Sequence, residues 1–129
     1  MKELFVPYEI AIALKEKGFD ENCLGYYGKL NVFRIADDMC NYGGVNYGFP
    51  LIHKNKYILA PLYQQVIEWL MLNHGIKIWW IPVFFNDNRL MIKGVKDYNH
   101  DALFYNEWHD TNKLNEGYNE AIIEALKLI

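Results

Sequence analysis

The sequence predicts an α+β fold: an antiparallel sheet of about four strands with three helices packed mainly on one face. Three observations lead there. Three segments carry apolar residues at helical spacing, and the run Ile78-Trp79-Trp80-Ile81-Pro82-Val83-Phe84-Phe85 reads as a strand buried on both faces. Along the chain the order is helix, strands, helix, hairpin, helix, a segregation that favours an antiparallel sheet over alternating βαβ units. A length of 129 residues suits a single globular domain covering 1–129.

The first helix is expected from Pro7 to Lys17. Proline suits the first helical position because its missing N–H would lack a partner there anyway. Ile10, Ala11 and Leu14 share one face, Gly18 supplies a left-handed exit, and Phe19 is placed to pack back on Leu14. Asp20-Glu21-Asn22 makes a polar corner. Leu24–Tyr27 and Leu30–Ile35, separated by Gly28-Lys29, read as a hairpin or one bulged strand. The pattern then dissolves. Met39–Pro50 interleaves Asn41, Gly43, Gly44, Asn46 and Gly48 with Tyr42, Tyr47 and Phe49, the composition of a long loop.

Lys56–Leu59 is a short extended piece. A second helix follows from Pro61 to His74, striped by Leu62, Val66, Trp69 and Leu70 and widened by Ile67 and Met71. Gly75 closes it, with Ile76 placed to latch onto Met71. The strand Ile78–Phe85, the turn Asn86-Asp87-Asn88 and the strand Arg89–Lys93 form a hairpin. Pro82 cannot donate to a ladder, which puts a bulge or an unpaired edge there. Asp97–Asn115 is polar with anchors Leu103, Phe104 and Trp108. In the last helix Tyr118, Ala121, Ile122, Ala125, Leu126 and Ile129 keep one face apolar, with Gly117 as a cap and Glu120 three residues after it. Trp69 and Ile122 are the expected core anchors.

Composition excludes several partners. Thirteen basic residues scattered among sixteen acidic ones, for a net charge of -3, do not form the basic surface that duplex binding requires, so no nucleic-acid partner is expected. No run approaches the roughly 20 apolar residues of a membrane helix, so no membrane partner is expected. The N-terminal residues lack a secretory h-region, and Cys23 and Cys40 sit in no paired motif; the expectation is a cytoplasmic protein with reduced thiols. Aromatics at 16% read first as an aromatic core in a domain of this size, the alternative being a core plus some surface for recognition, since Tyr and Trp bury area while keeping a polar handle.

Three stretches resemble a known group. Phe5-Val6-Pro7-Tyr8-Glu9 with Leu14–Glu21 and Gly25-Tyr26-Tyr27, then Pro61–Trp69, then Tyr118-Asn119-Glu120-Ala121 with Ala125-Leu126, are similar to small bacteriophage and prophage proteins. The resemblance implies a mobile-element accessory protein and carries over no catalytic residue. Asp37–Asn55 and the hairpin at Trp79-Trp80 lie outside it.

Catalytic constellations are thin. The chain has no serine and a single threonine, Thr111, so a Ser-His-Asp triad is excluded. Cys23 reads as a small buried hydrophobe, and Cys40 is the better thiol nucleophile of the two. His100-Asp101 and His109-Asp110 are legitimate metal-ligand types but lack a helical or knuckle spacing. Gly43-Gly44 lacks the lysine and hydroxyl of a phosphate loop. Asp37-Asp38 reads as a turn, and Gln64 and Gln65 as a wet helix face. No catalytic residue, metal or cofactor is therefore assigned. The expected function is a non-enzymatic interaction protein that acts on a host protein or assembles with itself, with a homodimer through Trp79 or Trp80. The alternative is a small-ligand binder, for a nucleotide, in which Tyr42, Tyr47 and Phe49 line a pocket and His53 and Lys54 meet a phosphate.

Overall fold

The computed structural model of the chain describes residues 2–35, 57–82, 89–96, 102–110 and 114–129, with the backbone alone for 80–82, 89–96 and 102–110. The α+β class holds. Among the described residues three α-helices accompany antiparallel strands: α1 (Tyr8–Glu16), α2 (Tyr63–His74) and α3 (Leu114–Leu126). The strands number six among the described residues and form two sheets of three, β2-β1-β3 and β4-β5-β6. The chain divides into two compact units, Met1–Tyr63 and Gln64–Ile129.

The first unit holds α1 with β1 (Gly25–Tyr27), β2 (Phe33–Ile35) and β3 (Ile58–Ala60). Pro7 stands at the N-cap in an extended conformation, and Ile10, Ala11 and Leu14 are buried as their spacing predicts. The exit is a full Schellman motif. Gly18 adopts φ 87°, its N–H donates to the Lys15 carbonyl at 3.1 Å, and the Phe19 N–H donates to Leu14 at 3.0 Å. Phe19 itself is buried. β1 lies centrally, Tyr26 pairing with Arg34 on one side and Leu59 on the other. Val6 donates to the Pro61 carbonyl at 3.0 Å, and Phe5 bridges Leu62. Proline 61 thus serves this bridge, and the helix starts two residues later than expected.

An aromatic chain fills the unit: Tyr8 meets Tyr27 at 5.3 Å, Tyr27 meets Phe33 at 5.7 Å, and Phe33 meets Phe5 at 5.0 Å. Tyr27 Oη donates to the buried Val6 carbonyl at 2.9 Å. Gly25 is needed here for space. A Cβ added to it would lie 2.8 Å from Phe33 and from Phe5, and 2.9 Å from the Ala60 carbonyl oxygen.

One expectation is corrected in this unit. Leu30 and Val32 do not begin a strand. Lys29–Asn31 is a 3-10 turn in which Leu30 and Asn31 take φ 59° and 57°, while Gly28 N–H donates to Val32 and β2 starts at Phe33. Joining two three-residue strands in register Tyr27↔Phe33 leaves five residues to reverse direction, and two left-handed residues do so.

In the second unit α2 exits at Gly75, φ 67°, by a single bond from its N–H to the Met71 carbonyl at 3.2 Å. This is the simpler αL ending. Ile76 runs straight into β4 (Ile76–Pro82) with its side chain fully buried. β4 pairs in unbroken antiparallel register with β5 (Arg89–Lys96), from Ile76↔Lys96 to Pro82↔Leu90. β5 pairs with β6 (Ala102–Asp110) through two irregularities. The polar stretch after Asp97 therefore contains a strand of its own. α3 packs on β5 and β6. It begins at Leu114, and Gly117 is a buried residue inside it, so Gly117 is not the cap. Ala121, Ile122, Ala125 and Leu126 are buried as predicted, as are Val66, Trp69 and Leu70 of α2.

Candidate functional site

β4 is the element on which exposure, backbone geometry and aromatic content coincide. Its side chains alternate, as a strand's must. Ile76 and Ile78 are buried, whereas Lys77 is half-buried and Trp79 stands 40% exposed on the opposite face. A tryptophan left this open on a strand is unusual for a side chain that gains so much from burial. β4 is also an edge: among the described residues its one strand neighbour is β5. Pro82 at its end fits an edge position, as the sequence suggests. Trp80 follows within the strand, in register with Ile92.

The helix leading into β4 is held tightly at its end. Asn73 Nδ2 donates to the Trp69 carbonyl at 3.2 Å, and His74 meets Trp69 edge-on at 4.6 Å. The Nε2 atom of His74 is buried with no hydrogen-bond partner among the described residues. Leu72, 76% exposed, and Met71, 40% exposed, add apolar surface near the end of α2 beside the exposed Gln64, Glu68 and Asn73.

Tyr42, Tyr47, Phe49, His53 and Lys54, the residues expected to line a ligand pocket, lie outside the described residues, as do Asp37, Asp38, Cys40, Gly43, Gly44, His100 and Asp101. His109 and Asp110 lie on β6. Among the described residues no group of three or more His, Cys, Asp or Glu is placed to hold a metal ion. No helix among them is long and apolar enough to cross a membrane. Cys23 is a buried thiol whose Sγ donates to the Glu21 carbonyl at 3.4 Å, matching its expected role as a small hydrophobe.

Two features went unread in the sequence. A cleft of about 240 Å³ sits at the end of α1, lined by Ala11, Lys15, Gly18, Phe19, Asp20 and Leu59. Its size falls below the roughly 300–1,000 Å³ of typical ligand pockets, which weighs against it as a binding site. Leu30 is 93% exposed at the tip of the β1–β2 turn. Its left-handed backbone has no sequence signal, because leucine is not a residue that favours φ > 0.

No protein-family model, no curated protein and no solved structure matches this chain.

Proposed function

We infer that this chain is an interaction protein, non-enzymatic, which works by offering the β4 edge to a polypeptide partner. The observation that carries the reading is the combination of a strand that is an edge among the described residues with an exposed tryptophan: edge backbone groups supply affinity and the indole supplies an anchor. The resemblance of the Phe5–Glu9, Pro61–Trp69 and Tyr118–Ala121 stretches to phage and prophage proteins supports a mobile-element accessory role for it. Native mass spectrometry of freshly purified protein tests the reading. A polypeptide complex is the expected result. A bare monomer carrying a stoichiometric small molecule would overturn it in favour of ligand binding.

A further inference from the structure

We propose that the β1–β2 turn is a lipid-contacting finger, whose tip, Leu30 with Lys29, Val32 and Arg34, seats on an anionic bilayer surface. The feature belongs to the first unit, so the proposal is independent of the reading of β4.

Leu30 is the most exposed large apolar residue among the described residues, at 93%, and Val32 is 46% exposed. Single exposed aliphatics are common on protein surfaces and need no explanation. Leu30 differs in its backbone. It stands at φ 59°, ψ 24° and is followed by Asn31 at φ 57°. The Val32 N–H closes this turn on the Lys29 carbonyl at 3.4 Å. Two successive left-handed residues make a tight hairpin turn that asparagine, aspartate and glycine fill at least cost. Asparagine takes the second place here, and leucine takes the first. A leucine there is strained and leaves its side chain in water, two penalties that a glycine would remove together. Strained positions persist where function uses them. A partner that takes up the Leu30 side chain offsets both penalties.

The charges select that partner. Between residues 22 and 36 the sequence holds Lys29 and Arg34 and no acidic residue, in a chain of net charge -3. Both cations are exposed. The Arg34 side chain runs back beside the start of the turn, its Cδ and Nε 3.8 Å from where a Cβ on Gly28 would stand. At physiological salt charges are screened beyond roughly 8 Å, so these two cations, rather than the net charge, govern a contact at the tip.

Apolar side chains backed by Lys and Arg are what interfacial membrane segments present, the first to the acyl boundary and the second to anionic headgroups. A polypeptide pocket fits less well. Leucine and valine are under-represented among the side chains that anchor protein interfaces, and a tip needs a matching hollow in a protein, whereas a bilayer yields around it. The lack of a spanning helix among the described residues concerns crossing a bilayer, not lying on one.

Co-sedimentation with vesicles of phosphatidylcholine and phosphatidylserine in equal parts tests the proposal. The wild type should bind them at least about tenfold better than pure phosphatidylcholine vesicles, and should come off at about 1 M salt, where the screening length is roughly 3 Å. K29E/R34E should weaken binding at least about tenfold. Leu30→Gly separates a lipid contact from a mere imperfection of the turn: it should melt higher than the wild type yet bind at least about threefold less. Far-UV circular dichroism confirms that each variant is folded. A wild type that ignores the anionic vesicles overturns the proposal, and so does a Leu30→Gly or K29E/R34E variant that binds them as well as the wild type. Equal binding to pure phosphatidylcholine overturns it too, because the cations would then select nothing. None of these outcomes touches the β4 edge, which native mass spectrometry tests separately.

Discussion

The two sheets of this molecule are held by different means. In the first unit each strand is three residues long, far too short for its ladder alone to specify register. Side chains do that instead: the aromatic chain from Tyr8 to Phe5 closes over β1, and Gly25 fits beneath two rings and a carbonyl with no room for a methyl group. In the second unit the strands run to seven, eight and nine residues. There a longer ladder, unbroken between β4 and β5, fixes the pairing, and α3 packs on β5 and β6. A short sheet depends on fit and a long one on backbone, so the same kind of substitution should act differently in each.

The largest effects should come from the helices of the second unit. Ile122→Ala or Trp69→Ala should cost about 2–5 kcal/mol in urea unfolding, since Ile122 is fully buried and Trp69 nearly so, and each leaves a cavity. Next comes the pinch point of the first unit. Gly25→Ala should cost about 1–3 kcal/mol through overpacking; a silent Gly25→Ala would break the contrast between the sheets. Tyr27→Phe should cost about 1–2 kcal/mol, because it strands the buried Val6 carbonyl.

Tyr27 also makes the first unit sensitive to alkali. Burial, then the negative charge of Glu9, raise its hydroxyl above its ordinary pKa. A group whose folded pKa is raised keeps its full stabilising contribution below the unfolded pKa of about 10, and loses it as pH climbs past that value toward the folded one. The urea midpoint should therefore fall above about pH 10 in the wild type, and Tyr27→Phe should flatten that part of the decline.

Smaller still, Leu30→Gly should stabilise by about 0.5–1 kcal/mol, relieving a left-handed leucine whose side chain is almost wholly in water. Lys15→Ala and Glu124→Ala should stay within about 0.5 kcal/mol. Lys15 is exposed, and Glu124 accepts only a solvent-exposed ion pair from Lys127.

The helices were legible because burial imposes a stripe. Ile10, Leu14, Val66, Trp69, Leu70 and Ile122 are core residues at the positions their spacing marks. Proline and glycine marked the ends of α1 well, because a Schellman exit needs φ > 0 at Gly18 and little else. Strand boundaries were less legible. Leu30 and Val32 look like strand residues by type, yet closing a hairpin between three-residue strands took them into the turn. β6 was hidden because Ala102–Asp110 mixes apolar and polar residues without clean alternation. Pro82 and Trp79 pointed to the β4 edge. What the sequence lacks is the alternation of exposure along β4, which depends on which face its own unit covers.

The buried thiol of Cys23 has a practical consequence. Cys23 is 2% exposed and its sulfur is tied to the Glu21 carbonyl, so a thiol reagent reaches it only when this part of the first unit opens. The rate of Cys23 modification in a Cys40→Ala background is then a clock for that opening, reported by a native residue with no added label. Gly25→Ala should speed the clock while Ile122→Ala speeds it less, if the two units open independently; equal acceleration by both would mean that they open as one.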